Sequence, residues 1–173
     1  MTTAEEGSAD SVPWNAVVSD FDTFFAQHYT ELVRALSLAL GDVEFGQDAA
    51  SEGFTKALQR WSSVSQFSNP TGWVYRVGLN WARSRRRRSR RERTGLVVDA
   101  AAPAVAWRDA SLVAALQQLS LDHRSVVVGR YYLDWSEAQL ATALDIAPGT
   151  VKSRLSRALT QLAQLLEDNH GQS

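Results

Sequence analysis

The sequence predicts an all-α protein of two small helical domains joined by a flexible linker, with a helix-turn-helix in the C-terminal domain. Three observations support this prediction. Apolar residues recur at helical spacing in both halves of the chain, and residues 94–107 between them lack any sustained period. Residues 136–159 hold two helical patterns that meet at a tight turn. We therefore place the domains at residues 15–93 and 108–168, with the linker at 94–107.

The composition limits the class of protein. Its 173 residues include no cysteine, which excludes disulfides, thiolate zinc sites and cysteine nucleophiles. No apolar run approaches the ~18 residues needed to cross a bilayer, and the first ten residues are acidic and polar. The three histidines lie far apart, without the spacing of metal ligands. We expect a cytoplasmic protein without membrane insertion, metal or cofactor.

Two helical patterns lie in the N-terminal domain before residue 70. Large apolar and aromatic side chains recur at helical spacing in each, and these are Phe21, Phe24, Phe25, His28, Leu32 and Leu36, then Phe54, Leu58 and Trp61. Such stripes predict at least two amphipathic helices, which pack into a small bundle.

The next pattern begins at Pro70 and predicts a helix to about Arg88, since proline suits the first helical position. One face of this helix carries an aromatic ring, an amide and guanidinium groups, at Trp73, Arg76, Asn80, Arg83 and Arg87. Such a face suits an unstacked DNA strand, because rings stack on bases and asparagine can read a base edge. Val74, Val77 and Trp81 fall on another face, which can pack. For Trp73 and Trp81, ordinary core packing is the alternative.

Positive charge is concentrated at the end of this helix. Residues 83–93 contain eight arginines. The net charge is -7 over residues 1–60, +7 over 61–107 and -1 over 108–173. Because guanidinium groups bind phosphate oxygens bidentately, we predict a nucleic-acid surface here. A solvated helix end, a disordered tail and an RNA-binding arm are the alternatives.

Helical spacing resumes at Leu112 and predicts four helices, the last two forming the helix-turn-helix. Ser136 and Gln139 have the spacing of a capping box, which marks the start of the first of these two helices. Asp145 and Ile146 form the turn between the two helices. Pro148 then begins the second helix.

The second helix has two distinct faces. Its apolar stripe predicts burial of Val151, Leu155, Ala158, Leu159 and Leu162. Its polar side offers hydroxyl and charged donors that suit phosphates and base edges in a major groove, at Thr150, Lys152, Ser153, Arg154 and Arg157. The alternative is an αα-hairpin with a solvated basic face.

Three segments resemble one known family. Residues 148–159, PGTVKSRLSRAL, resemble the G-T-V-K-S-R-L-x-R-A signature in the promoter-binding domain of extracytoplasmic-function sigma factors, group IV of the sigma-70 family. Residues 69–83 resemble the N-P-x-x-W-L-Y-R-V-A-x-N-x-A motif of its N-terminal domain, and residues 47–54 resemble its E-D-x-x-Q-E-x-F segment. Because the motifs follow one another in the family's order, the chain is identified as a member, similar to the short actinobacterial type.

The resemblance implies a sigma factor without catalytic activity, which binds bacterial core RNA polymerase and directs initiation at promoter DNA. A region 2-like domain at residues 15–93 would melt the minus-ten element, and a region 4-like domain at 108–168 would read the minus-thirty-five element. A separate anti-sigma protein is an expected partner. The main alternative is a stand-alone helix-turn-helix regulator that does not engage polymerase, and an enzyme such as a nuclease is disfavoured because the sequence carries none of the usual catalytic motifs.

The resemblance also assigns site residues. For minus-ten DNA they are Asn69, Trp73, Arg76, Asn80, Arg83 and Arg87. Among these, Asn80 would hold the flipped non-template base together with the loop of residues 65–69. For minus-thirty-five DNA they are Thr150, Lys152, Ser153, Arg154 and Arg157. For polymerase they are Asp48, Ser51 and Glu52, with a solvated acidic face as the alternative for Asp48 and Glu52. Two departures from the family pattern predict weaker polymerase binding: Ser51 replaces the usual Gln, and Gly53 costs a helix roughly 1 kcal/mol relative to Ala. In a third, Asp145 replaces the usual Gly of the turn; the pattern implies a left-handed backbone there, which aspartate tolerates better than most residues.

Overall fold

The computed structural model describes residues 14–92 and 110–170, and the regular structure within these ranges is entirely helical. The predicted all-α class is confirmed. An N-terminal group consists of α1 (Trp14–Leu40), α2 (Val43–Gln59), α3 (Trp61–Val64) and α4 (Pro70–Glu92). A C-terminal group consists of α5 (Ala110–Gln118), α6 (Leu121–Tyr131), α7 (Glu137–Leu144) and α8 (Pro148–His170). The linker predicted at residues 94–107 lies outside the described residues.

Aromatic side chains from α1, α2 and α3 form much of the N-terminal core. The Phe21 ring meets Trp61 edge-on at 5.3 Å, and the Phe24 ring lies 5.7 Å from Phe54. The Trp61 indole also donates a hydrogen bond of 3.1 Å to the carboxylate of Asp20. These contacts bury large rings while satisfying the one polar group among them, so they fix α3 against the start of α1.

Two glycines allow α2 and α4 to approach each other closely. A Cβ on Gly53 would lie 2.8 Å from the Val74 carbonyl oxygen, and one on Gly78 would lie 2.9 Å from that of Ala49. Any larger residue at either position would collide with backbone. Gly53 therefore has a packing role that its low helix propensity conceals.

The helix-turn-helix forms as its local sequence predicts. Ser136 Oγ accepts a hydrogen bond of 3.2 Å from the Gln139 N–H, and Gln139 Oε1 accepts one of 2.8 Å from the Ser136 N–H. Asp145 ends α7 in the left-handed conformation, with φ 56° and ψ 51°. Pro148 is the first residue of α8. The capping box, the turn and the start of the second helix are thereby confirmed.

The predicted buried stripe of α8 is confirmed at four of its five positions. Val151, Leu155, Ala158 and Leu162 are buried. Leu159 is 41% exposed, so its predicted burial is wrong. It lies at the edge of the stripe, where it lines an open apolar groove of about 620 Å³ between α5, α6 and α8.

One buried cation joins α5 and α6. Arg124 donates to the Leu119 carbonyl oxygen at 3.3 Å and to the side-chain oxygen of Gln117. Burial lowers the pKa of its guanidinium, and the nearby charge of Arg86 adds to the effect. Its hydrogen bonds to oxygen acceptors make a buried charge tolerable at this position.

The two groups of helices pack against each other through α4 with α7 and α1 with α6. Tyr75 on α4 is fully buried there; it donates to the Ser125 carbonyl oxygen at 3.3 Å and meets the Trp135 ring edge-on at 5.6 Å. Burial raises the pKa of the Tyr75 phenol above its usual value of 10.0. A Cβ on Gly72 would lie 2.6 Å from that of Ala143, so the α4 backbone comes very close to α7.

Within the described ranges, none of the helices combines the length and the apolar character that crossing a bilayer requires.

Candidate nucleic-acid interface

The polar face of α8 carries the predicted minus-thirty-five residues. Thr150, Ser153, Arg154 and Arg157 are spaced at i, i+3, i+4 and i+7, which places them on one side of the helix. Arg157 and the neighbouring Lys152 are exposed. The Ser153 hydroxyl donates to the Thr150 carbonyl oxygen at 3.1 Å. Cationic and hydroxyl donors are thus brought together opposite a buried apolar stripe.

The first turn of α8 is open. Ala147, Pro148 and Gly149 are exposed, and nothing lies within 4 Å of the position that a Cβ on Gly149 would take. The N-terminal end of α8 also carries the positive end of the helix dipole. A phosphate backbone can therefore approach this end of the helix without steric obstruction.

The predicted minus-ten face of α4 divides into two parts. Trp73 and Asn80 line a depression of about 410 Å³, together with Lys56 and Arg60 from the α2 side. Arg76 and Arg83 point toward the C-terminal group instead, as their ion pairs show. The structure therefore brings an aromatic ring, an amide and two cations together, but directs two predicted arginines elsewhere.

Asn80 and Arg87 remain accessible. Both residues are exposed. Asn80 Oδ1 accepts a hydrogen bond of 3.2 Å from Arg83, and Arg87 donates to Ser84 Oγ at 3.3 Å. Neither contact is buried, so water or a nucleic acid can replace it at little cost.

Asn69 caps the start of α4. Its Oδ1 accepts hydrogen bonds of 2.8 Å from the Gly72 N–H and 2.7 Å from the Thr71 hydroxyl. Its Nδ2 is buried and has no hydrogen-bond partner. The oxygen of this side chain is thus engaged in helix capping, and a contact of Asn69 with DNA stays a prediction.

Two further features of this region were missed at the level of sequence. Phe67 lies in the loop of residues 65–69 and is 46% exposed, although large apolar rings are usually buried. Its only sequence signal is an aromatic residue within an otherwise polar loop. Lys56 and Arg60 join the depression because α2 packs on α4, a contact that sequence spacing does not reveal.

The arginine run continues α4 to Glu92, and its members differ in what they contact. Arg86 donates to the Leu40 carbonyl oxygen at 2.6 Å and lies over the Phe45 ring at 5.2 Å. It thereby caps the C-terminal end of α1. Three others line a cationic depression of about 340 Å³, namely Arg87, Arg88 and Arg91. Part of the run is therefore structural, and part forms a positive surface.

Acidic residues of the C-terminal group pair with the arginines of α4 and α8. Asp122 at the start of α6 lies 2.6 Å from Arg83 Nη2 and 2.8 Å from Arg154 Nη2. Asp145 lies 3.1 Å from Arg76 Nη1. A cavity of about 280 Å³ between the two groups of helices is lined by Asp122 and by the three arginines of these pairs. Sequence reasoning did not single out Asp122.

The predicted polymerase-binding residues share the outer side of α2. Asp48 and Ser51 are exposed, and Glu52 is half-buried in an ion pair of 3.0 Å with Lys56. Ser51 Oγ lies 3.5 Å from the hydroxyl of Tyr29 on α1. Their contact with polymerase stays a prediction.

Among the described residues, no three histidine, aspartate or glutamate side chains are grouped in a way that could hold a metal ion.

The fold and the helix-turn-helix are those of a helical DNA-binding protein. Residues 109–162 match the family model described as Sigma-70, region 4. The chain is 34% identical over 154 residues to the ECF RNA polymerase sigma factor SigL of Mycobacterium tuberculosis, with 83% of this chain and 87% of the relative covered. It is 30% identical over 150 residues to SigM of the same organism, with 84% and 76% covered. The chain therefore belongs to the extracytoplasmic-function RNA polymerase sigma factors, as its motifs predict.

Solved structures show the same fold. The sigma factor RpoE of Bartonella quintana, crystallised with the anti-sigma factor NepR, superposes with a TM-score of 0.75 at 24% identity, over 86% of this chain and 98% of that one. CnrH, in complex with the cytosolic domain of CnrY, gives a TM-score of 0.63 at 23% identity, over 89% and 94%.

Proposed function

We propose that this sigma factor binds core RNA polymerase, helps to open the minus-ten element through its N-terminal helices and reads the minus-thirty-five duplex with α8. The proposal rests on the polar face of α8, where hydrogen-bond donors lie next to an exposed first helical turn. A major groove accepts one α-helix, and its base edges and phosphates take hydrogen bonds from these residue types.

In the minus-thirty-five contact, the exposed cations Lys152 and Arg157 bind phosphates or base edges. Thr150 and Ser153 supply hydroxyl groups on the same side of α8 as Arg157, and Lys152 lies at the edge of this polar face. Arg154 can also contact DNA once its ion pair with Asp122 is broken; in the structure its Nη2 lies 2.8 Å from that carboxylate. Phosphate contacts position the helix, and base-edge contacts give the sequence preference.

In the minus-ten contact, the depression beside Trp73 and Asn80 receives an unstacked base. The exposed ring of Phe67 offers a second stacking surface in the loop of residues 65–69. Arg87 lies farther along α4 and is exposed, so the strand would follow this helix. Arg76 and Arg83 would join the contact only after leaving Asp145 and Asp122. Stacking contributes about 1–3 kcal/mol per base, enough to help hold a melted strand.

For polymerase, Asp48, Ser51 and Glu52 form the contact on α2. An acidic surface here suits a positively charged partner, and the close packing of Gly53 on α4 keeps α2 fixed. The domain division at residues 15–93 and 108–168, with a linker at 94–107, belongs to the same proposal. A cytoplasmic location, the absence of catalytic activity and control by a separate anti-sigma protein are also part of the proposal. The complex of RpoE with the anti-sigma factor NepR supports the last of these.

Gel filtration of this chain with purified core RNA polymerase tests the proposal. We expect co-elution, and we expect Asp48→Lys together with Glu52→Lys to abolish it. A variant with Asp22→Lys and Glu31→Lys, both exposed on α1, is the charge-matched control and should co-elute like the wild type. Absence of co-elution while duplex DNA is still bound would favour the stand-alone regulator.

A further inference from the structure

Asp122 holds one arginine from each of the two proposed DNA-binding helices. Its Oδ1 lies 2.6 Å from Nη2 of Arg83 on α4, and its Oδ2 lies 2.8 Å from Nη2 of Arg154 on α8. Asp122 itself belongs to neither helix, since it lies in the first turn of α6. One carboxylate therefore links two surfaces that are distant in sequence.

A carboxylate that accepts hydrogen bonds from two guanidinium groups is chemically similar to a DNA phosphate bound by the same two arginines. Both are anionic oxygen acceptors, and arginine binds both through the same donors. An arginine paired with Asp122 is therefore less available to DNA. The side chain of Asp122 is 45% exposed, so an incoming phosphate can reach the pair.

We propose that Asp122 is an intramolecular competitor of DNA phosphate, which pairs with Arg83 and Arg154 and so keeps the two proposed DNA-binding surfaces together. Separation of the two groups of helices frees Arg83, which lies across the contact from Asp122. Arg154 belongs to the same group as Asp122 and becomes available when an incoming phosphate displaces the carboxylate. This inference rests on the proposed function, because it assigns DNA binding to α4 and α8.

The contact between the two groups of helices is of a kind that can open. The ion pairs of Asp122 are partly exposed, so their strength is modest and falls as salt rises. Asn69 Nδ2 is buried without a partner, beside the point where Gly72 approaches Ala143. A buried unpaired donor disfavours the closed arrangement, because opening would expose it to water.

The test compares Asp122→Asn with Asp134→Asn. Each substitution removes one negative charge, so a general effect of net charge on DNA binding is the same in both. Asp134 is 98% exposed and pairs only loosely, at 3.8 Å, with Arg130 of the same group of helices. Its left-handed φ of 54° is also one that asparagine tolerates.

Two measurements and a folding control are made on the full chain of the wild type and of each variant. Because the sequence has no cysteine, Ser62→Cys and Gln164→Cys place spin labels at two exposed positions only, on α3 and α8. Electron-spin distance measurements then report how far apart the two groups of helices lie. Fluorescence anisotropy with a short duplex of random sequence reports DNA affinity, and thermal melting checks that each variant is folded.

Asp122→Asn should shift the label distances toward longer values and tighten duplex binding by about threefold to tenfold, whereas Asp134→Asn should match the wild type. Added salt should lengthen the wild-type distances in the same direction.

Label distances in Asp122→Asn equal to those in Asp134→Asn would overturn the inference, and so would longer distances with unchanged duplex affinity. If neither the wild type nor any variant bound duplex, competition between Asp122 and DNA would be overturned, whereas the proposed function is tested separately by co-elution with core RNA polymerase. The distances would still show whether Asp122 holds the helices together.

Discussion

Asp145 ends α7 in the left-handed conformation, and its carboxylate lies 3.1 Å from Nη1 of Arg76 on α4. One residue thus shapes the turn between α7 and α8 and also contacts the N-terminal group of helices. The carboxylate is 82% exposed, so the ion pair itself contributes little to stability. The main role of Asp145 is to permit the turn.

Substitution of Asp145 separates these two roles. Asp145→Ala should lower the free energy of unfolding by about 1–2 kcal/mol, because alanine is strained at φ 56°. Asp145→Asn should cost less than about 0.5 kcal/mol, since asparagine tolerates this conformation and loses only an exposed ion pair. Urea denaturation measures both. Equal losses would show that the ion pair, rather than the backbone, is what matters.

Gly53 is predicted to resist even the smallest substitution. Gly53→Ala should destabilise the protein by about 1–3 kcal/mol despite the higher helix propensity of alanine, because the new Cβ would lie 2.8 Å from the Val74 carbonyl oxygen. Gly149→Ala is the matched control, since its Cβ would have open space. In thermal denaturation, Gly53→Ala should lower the melting temperature, whereas Gly149→Ala should raise it or leave it unchanged. A stable Gly53→Ala variant would contradict the close packing of α2 on α4.

Tyr75 should contribute a measurable hydrogen bond between the two groups of helices. Tyr75→Phe removes the 3.3 Å bond to the Ser125 carbonyl oxygen and should lower the free energy of unfolding by about 1 kcal/mol. The ring and its edge-on contact with Trp135 are retained. Urea denaturation at neutral pH gives the difference, and an unchanged value would mean that the bond makes no net contribution.

The same tyrosine predicts a dependence on alkaline pH. Burial raises the pKa of Tyr75 in the folded state, so the unfolded state loses this proton first, from about pH 10.0 upward. The stability associated with the neutral phenol is complete below that pH and is lost as the pH rises further. The wild type should therefore lose stability above pH 10 more steeply than Tyr75→Phe. Parallel curves for the two proteins would contradict the raised pKa.

The arginines of α8 should contribute to promoter binding and to its dependence on salt. Arg154→Ala and Arg157→Ala should each weaken binding, and each lost phosphate contact should reduce the salt slope by about 1. Arg34→Ala, at an exposed position on α1, removes the same charge away from the proposed interface. Anisotropy titrations over a range of salt concentrations measure both quantities. Unchanged slopes in both α8 variants would show that this helix does not contact DNA.

Local features of the fold could be predicted from sequence, because their causes lie within a few residues. The capping box at Ser136, the left-handed Asp145 and the start of α8 at Pro148 each depend on one turn of chain. Leu159 was predicted wrongly because helical periodicity gives the direction of a side chain and not what covers it.

The candidate site could be predicted only in part. The residues on α4 and α8 follow from spacing and family motifs, but their ion pairs join positions 32 and 39 residues apart. Nothing in the local sequence distinguishes Asp122 from any other acidic residue at a helix start. The close approach at Gly72 and the exposure of Phe67 likewise depend on how helices pack, which periodicity does not specify.

Transcription of a pooled library of bacterial promoters by purified core RNA polymerase, with and without this chain, tests the central claim most directly. We predict new start sites that depend on the chain and share two upstream elements, and we predict that Arg157→Ala weakens them. Identical start sites with and without the chain, at concentrations where it binds duplex DNA, would contradict its role as a promoter-specific sigma factor.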